Sequence, residues 1–289
     1  MSSYTAPTLP ATKYCLLEIP IPRVLLVTLN RPNHLNALHL DAHHELDRVW
    51  SFLEAEPELW CAILTGAGNK AFCAGADLKS MIDPTTRASG QHAGNIHAYP
   101  DSGFAGLSRR YPSKRSGNLT AKPIIAAVHG VSFGGGVEII LATDLVIAAS
   151  NASFSLPEVS RGVVAANGGL ARLARTVGYQ RAMELALTGK QLSAQEAHTW
   201  GLVNVLCPGG KEEALRVALD HARLILSASP DAVAITKFAI QDAFESGEAA
   251  STHHLIHSPD MARLSQSPNF QEGVRAFAEK RSPRWVSRF

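Results

Sequence analysis

The stretch from Ala121 to Ser150, AKPIIAAVHGVSFGGGVEIILATDLVIAAS, limits what this chain can fold into more than any other part of it. A β-branched run, Ile124 to Val128, leads to a turn carrying Gly134, Gly135 and Gly136. A helical segment, Gly136 to Ala142, and a second strand-like run, Leu145 to Ala149, follow. A strand that passes through glycines straight into a helix presents backbone N–H groups at the helix's positive end, and glycine lets a ligand come close to them. The plainer explanation is a turn that needs three small residues for packing. The alternation recurs in Val24 to Asn30 followed by Asp41 to Glu54, and in Cys61 to Thr65, so the class is α/β.

After Pro208 the pattern becomes helical: Lys211 to Ser227, Asp231 to Ser246, and a last helix around Phe270 to Arg281 introduced by Pro268 and Asn269. Residues 1–207 are therefore read as an α/β core and 208–289 as a helical region. The apolar stripes of that region, with no sheet of their own to cover, predict burial on the core or on another subunit. No repeat with a period of 20–50 residues is visible. Between Met81 and Lys122 lies a segment rich in Gly, Ser, Pro and His, long enough for a functional loop, in which Gly103-Phe-Ala-Gly-Leu107 predicts an ordered contact.

Composition narrows the function classes. Of the 289 residues, 46% are hydrophobic and 18% charged, which excludes a disordered or fibrous chain. A net charge of +2 argues against an electrostatic nucleic-acid binder. The longest apolar run, Val137 to Ser150, is interrupted by Glu138 and Asp144, so no membrane span is expected. Cys15, Cys61, Cys73 and Cys207 are widely and irregularly spaced, which favours reduced structural thiols and an intracellular place, read as cytoplasmic. The N-terminal stretch lacks the pattern of a secretory or mitochondrial presequence. Ser287-Arg288-Phe289 only distantly resembles a peroxisomal tripeptide, so peroxisome and mitochondrial matrix stay open.

A second turn has the same character: Lys70-Ala-Phe-Cys-Ala-Gly-Ala-Asp-Leu-Lys79 follows the strand CAILTG and passes through Ala74, Gly75 and Ala76, with Asp77 placed to cap or anchor it. Two such turns can aim two N–H donors at one oxygen, as stabilising an enolate or a tetrahedral oxyanion requires. One such donor is typically worth about 10²–10³ in rate. Two carboxylates stand out beside them. Glu138 is embedded in the apolar run GGGVEIILA, and Glu158 follows Pro157 in ASFSLPEVSRG. The bland readings are a helix-dipole partner for Glu138 and an exposed loop acid paired with Arg161 for Glu158.

Six ordered segments together resemble the crotonase family, the enoyl-CoA hydratase/isomerase superfamily. They are RPNHLNAL (Arg31 to Leu38), AFCAGADLK, HGVSFGGGVE, FSLPEVSRGVVAANGGLARL, LTGKQLSAQEAHTWGLVNVL and AFAEKR (Ala276 to Arg281). The Gly-Phe-Ala-Gly-Leu and Leu-Pro-Glu pieces look most like carnitinyl-CoA dehydratase relatives. The resemblance implies a crotonase (ClpP-like) spiral of ββα units with a C-terminal helical oligomerisation region, assembled as a trimer or a dimer of trimers. It implies an acyl-CoA thioester as substrate, with CoA part of that substrate and no separate cofactor or metal. It places oxyanion donors on Ala76 and Gly135 and catalytic glutamates on Glu138 and Glu158. CoA contacts fall on Ala74, Ala76, Asp77, Leu78, Lys79 and Gly135, and Phe277 and Lys280 match a pair that meets CoA across a subunit boundary. The chain departs from the family at Ala165-Ala166, where many members have a Pro-Gly turn, at Leu170, which replaces a common Thr, and in the length of the 82–121 segment. These changes bear on the acyl group more than on the reaction.

Both glutamates favour hydration of an enoyl-CoA, or the reverse dehydration, over isomerase or thioester hydrolase chemistry in the same fold. Two other readings compete. Gly130-Val-Ser132-Phe-Gly134 matches the G-x-S-x-G nucleophile elbow of serine hydrolases, with His198, His221, His253, His254 and His257 downstream. A non-catalytic or RNA-binding scaffold would use Arg109, Arg110, Lys114 and Arg115. His43-His44-Glu45 lacks the HExxH spacing of a metalloprotease. Asn118-Leu-Thr120 and Asn151-Ala-Ser153 fit the glycosylation pattern only by chance.

Overall fold

The computed structural model of the protein describes residues 4–82, 98–108 and 121–287. Two sheets carry the architecture. The larger has six strands in the order β1 (Cys15–Ile21), β2 (Val24–Leu29), β3 (Cys61–Gly66), β5 (Ile124–Val128), β7 (Leu145–Ala149) and β10 (Val205–Cys207). The smaller has β4 (Ala71–Cys73), β6 (Val131–Phe133), β8 (Ser153–Ser155) and β9 (Leu192–Ser193). Pairings are parallel except β1 with β2 and β8 with β9. Successive strands alternate between the sheets: β3 then β4, β5 then β6, β7 then β8. The chain thus winds forward one strand in each sheet per turn, which is the spiral of ββα units that the resemblance implies.

Strands β3 and β5 are buried along their whole length because the large sheet is covered on both faces. On one face lies α1 (Leu40–Ala55), whose Leu46, Val49, Trp50 and Leu53 pack with Leu25, Val27, Ala62 and Leu64. The first turn of α1 is capped by His39, whose Nδ1 accepts the Ala42 N–H. The other face is covered by the helix Lys211–Leu226, where Ala214, Ala218 and Ala222 form a four-residue-spaced stripe of small side chains against Cys61, Ile63, Ile125 and Ile147. The helical region after residue 207 therefore begins as the second layer of this sheet. Helices Pro230–Ser246, Glu248–Ile256, Pro259–Gln266 and Pro268–Ala278 follow it. Three of them open on Pro after a Ser that accepts an N–H of the first turn.

Most of the expected elements stand within a residue or two of their predicted bounds. The structure adds β1, an edge strand whose alternate side chains face outward, and the short strands of the second sheet. The expected contact of Gly103-Phe-Ala-Gly-Leu107 is a buried 3₁₀ turn, Phe104–Gly106. The rest of the segment expected as a functional loop, with the Arg109, Arg110, Lys114 and Arg115 cluster and Asn118, lies outside the described residues. All four cysteines are free and buried, and burial pushes the Cys15, Cys61 and Cys73 thiols up to about 12. No helix among the described residues is long and apolar enough to cross a membrane.

One buried carboxylate fixes the start of the fold. Glu45, on α1, accepts the backbone N–H groups of Lys13, Tyr14 and Cys15 at 2.8, 2.7 and 3.0 Å, which docks the beginning of β1. Removing it strands three donors. Glu45→Ala is expected to cost about 2–3 kcal/mol and to lower the Tm by several degrees. A melting curve that superimposes on the wild type would refute this role.

Candidate active site

The RPNHLNAL segment is spent on building the first turn. After the 3₁₀ turn Pro32–His34, Leu35 and Asn36 take left-handed conformations (φ 50° and 56°), and the Asn36 carboxamide holds them there. Its oxygen accepts the Arg31 N–H at 3.0 Å, while its nitrogen donates to the carbonyls of Ala67 and Ala71 at 3.0 and 2.8 Å. The following chain meets the Ala74–Asp77 turn edge to edge: Ala74 N–H donates to Leu35, Leu38 N–H to Gly75, and Asp77 N–H to Leu38. This places Ala76 in a parallel bridge with Leu38 and turns its own N–H away from that edge, where it meets no acceptor among the described residues. Arg31 locks the turn by donating to the Ala37 carbonyl and pairing with Asp77 at 2.9 Å. Asp77 thus anchors the turn through Arg31. Although burial opposes it, this guanidinium holds the Asp77 carboxyl below the usual range.

The second turn touches the first. A Cβ on Gly75 would lie 2.8 Å from the Phe133 carbonyl oxygen and 2.9 Å from the Gly135 nitrogen, so only glycine permits the approach. Gly135 opens α3 (Gly135–Ile140), labelled after α2 (Leu78–Ile82), and its N–H lies ahead of the helix ladder without a protein acceptor among the described residues. A Cβ on Gly135 would collide with the Phe104 ring, and one on Gly136 with the Cys73 carbonyl. The glycines are thus required for packing, and the same packing leaves one N–H open.

Both glutamates converge on this turn. Glu138, on α3, is 3% exposed, and its Oε1 accepts the N–H groups of Asn167 and Gly169 at 2.9 and 3.2 Å. Burial raises its pKa, while these donors, with Arg172 nearby, pull it back. Glu158 lies in the 3₁₀ turn Pro157–Arg161, and its Oε1 would come within 3.1 Å of a Cβ on Gly134. Its Oε2 is buried without a hydrogen-bond partner. Burial first, and then the charge of Glu138, push its pKa up to about 7. Glu138 does lie in the first turn of α3, as a helix-dipole partner would, but its carboxylate is also engaged by the 167–169 loop. The expected pairing of Glu158 with Arg161 is not formed, the guanidinium turning to the Ser160 hydroxyl.

The structure therefore brings together Ala74, Ala76, Asp77, Gly135, Glu138 and Glu158. Leu78 and Lys79 follow on the exposed side of the first turn. Phe277 and Lys280 stand apart, at the end of the last helix, where Phe277 is 87% exposed. No hydrogen bond or ion pair among the described residues links them to the glutamates. Sequence reasoning missed Arg31, Asn36, Asn167 and Phe104 as builders of the site, although Asn167-Gly-Gly169 carries the small-residue signature of a close approach. The serine-hydrolase reading is corrected. Ser132 lies inside β6, fully buried, its hydroxyl unpartnered, whereas a nucleophile elbow would hold it exposed at a strand-to-helix corner.

The profile of the enoyl-CoA hydratase/isomerase family matches residues 22–288. Among curated relatives, the mevalonyl-coenzyme A hydratase sidH of Aspergillus fumigatus is 41% identical over 276 residues, 96% of each chain. The carnitinyl-CoA dehydratase of Proteus mirabilis is 36% identical over 268 residues, 92% of this chain and 95% of that protein. Among solved structures, the enoyl-CoA hydratase EchA1 of Mycobacterium marinum superposes with a TM-score of 0.81 at 39% identity, covering 94% of this chain and 98% of that one. With a family match over nearly its whole length, and with relatives and solved structures agreeing end to end, the chain belongs to the enoyl-CoA hydratase/isomerase family and has the crotonase fold.

Proposed function

We propose that the protein is a hydratase or dehydratase acting at the Cα–Cβ bond of an acyl-CoA thioester. The observation that carries this reading is the convergence of a buried Glu138 and a half-buried Glu158, of unlike surroundings, on a glycine turn whose N–H stays open beside that of Ala76 among the described residues. The thioester oxygen lies between the N–H groups of Ala76 and Gly135. Negative charge gathering there in the transition state is stabilised by donors already in place, so Cα can bear enolate character. Glu138, given two backbone donors, is the carboxylate that stays ionised, and it orients and deprotonates the water that adds to Cβ. Glu158, half-buried with no donor on its buried Oε2 among the described residues, keeps its proton and delivers it to Cα. Dehydration runs the two transfers backward.

CoA serves as the handle of the substrate, with Lys79 facing its phosphates and no separate cofactor. Phe277 and Lys280 reach the CoA of a neighbouring subunit in a trimer or dimer of trimers, assembled through the region 208–289. The exposure of Leu224, Ile240, Phe244 and Phe277 on that region supports such an assembly. Burial of four reduced thiols supports a reducing compartment, read as the cytoplasm. For the acyl group, the relatives named for mevalonyl-CoA and carnitinyl-CoA support a branched or polar acyl chain over a simple fatty one.

A panel of mevalonyl-CoA, carnitinyl-CoA and 3-hydroxybutyryl-CoA, each with its enoyl counterpart, followed by absorbance of the conjugated thioester, tests the reading. Glu138→Gln and Glu158→Gln are each expected to lower kcat by at least about 10²-fold with unchanged circular dichroism. Near-normal turnover by either variant would sink the two-glutamate mechanism.

Because hydration and dehydration both start from a pair holding one proton, their kcat/KM values are expected to fall together as pH rises through about 7. Opposite pH trends in the two directions would contradict the shared proton. Stability follows the same group. The Glu158 pKa is raised on folding, so the folded state is favoured below about 4.5, and that advantage is lost as pH rises through about 7. Glu158→Gln is therefore expected to gain Tm relative to wild type between pH 5 and pH 8, and a constant difference across that range would count against the burial of its charge.

A further inference from the structure

The 102–108 segment is fastened to its surroundings more firmly than a connecting loop requires. His43 Nδ1 accepts the Ala105 N–H at 2.9 Å, and Trp50 Nε1–H donates to the Ala105 carbonyl at 2.8 Å. The Ser102 hydroxyl donates to Asp47, the Phe104 N–H donates to the Ser108 hydroxyl at 2.8 Å, and Arg172 donates to the Ser108 carbonyl at 2.6 Å. Ala105 is held in the left-handed region at φ 54°, an arrangement that a non-glycine residue keeps only when its surroundings impose it. What the fastening delivers is the Phe104 ring, 2% exposed, with its outer edge against the Cα of Gly135.

His43 is the least economical of these groups. It is fully buried between the rings of Tyr99 and Phe104, at centroid distances of 4.6 and 4.3 Å. Burial pushes its pKa down to about 3, so the imidazole is neutral. Because Nδ1 accepts, the proton resides on Nε2, and that N–H has no partner among the described residues. Leaving a buried donor unpaired is costly, because the group gives up its water and gains nothing in return. A phenylalanine would fill the same aromatic slot without that cost. The one service it would not render is to accept the Ala105 N–H.

We propose that His43 is a positioning residue: by accepting the Ala105 N–H it sets the Phe104 ring against Gly135 and thereby fixes the direction of the Gly135 N–H. The inference rests on the reading of Gly135 as an oxyanion donor. Preorganised donors lose their effect when displaced by a fraction of an ångström, so a side chain that never touches substrate can govern the chemical step.

The test uses the full chain and the chromophoric thioester 4-dimethylaminocinnamoyl-CoA, whose absorption moves to longer wavelength when its carbonyl is polarised by hydrogen bonds. Wild type is expected to shift the band on binding. His43→Phe and Phe104→Leu are expected to bind the probe within about threefold of wild type, yet to lose at least half of the shift and about 10–100-fold in kcat with KM little changed. His43→Asn, whose carboxamide oxygen takes the place of Nδ1, restores most of both. His43→Leu is a second acceptor-free variant should His43→Phe not fold. A full shift and full kcat in the acceptor-free and Phe104→Leu variants would overturn the inference, as would His43→Asn losing as much as His43→Phe. A wild-type protein that binds the probe with no shift would instead overturn the oxyanion reading of Gly135 beneath it.

Discussion

Everything at the site follows from the contact between two backbone turns. The Gly75 turn and the Gly134–Gly136 turn approach until there is no room for a Cβ between them, and neither alone would bring two N–H groups to bear on one point. Backbone donors of this kind do not swing as side chains do, so their aim is set by the packing behind them. Arg31 and Asn36 brace one turn; the Cys73 carbonyl and the Phe104 ring brace the other. The packing explanation for the glycines and the functional one are therefore the same explanation.

The two glutamates show how surroundings set identical side chains apart. Both have a raised pKa through burial, but Glu138 receives two backbone donors from the distant 167–169 loop, whereas the half-buried Glu158 has only its own backbone N–H. A carboxyl held so lightly is a poor structural element, and its raised pKa suits the proton store that the proposed function makes of it. The near-neutral sum of charges over the chain hides this, because the charges that matter are few and lie beneath the surface.

Local chemistry was legible in the sequence where it was dense. The strands Ile124–Val128 and Leu145–Ala149, the turn at Gly134, the AGAD turn and the acids at 138 and 158 could be marked from residue types and spacing alone. What could not be marked depends on partners far away in the chain. That Asn36 completes the Ala71 edge, that the Asn167 and Gly169 amides point at Glu138, and that Phe104 abuts Gly135 are long-range facts with no periodicity to announce them. The spiral left no visible repeat because its units are unequal: β3, β5 and β7 begin at Cys61, Ile124 and Leu145, with insertions of different length between them. The Ser132 motif misled for a related reason, since its pattern constrains residue types while burial inside β6 decides reactivity.

The strands winding between the two sheets also spread the site along the chain in a fixed order. Ala76 belongs to the first pair of alternating strands, Gly135 and Glu138 to the second, and Glu158 follows the third. On the proposed function, the cradle for the thioester oxygen is thus complete along the sequence before the proton donor, and the 167–169 amides that steady the base come later still. On that reading, catalytic competence is a property of the closed spiral and of no shorter run of it.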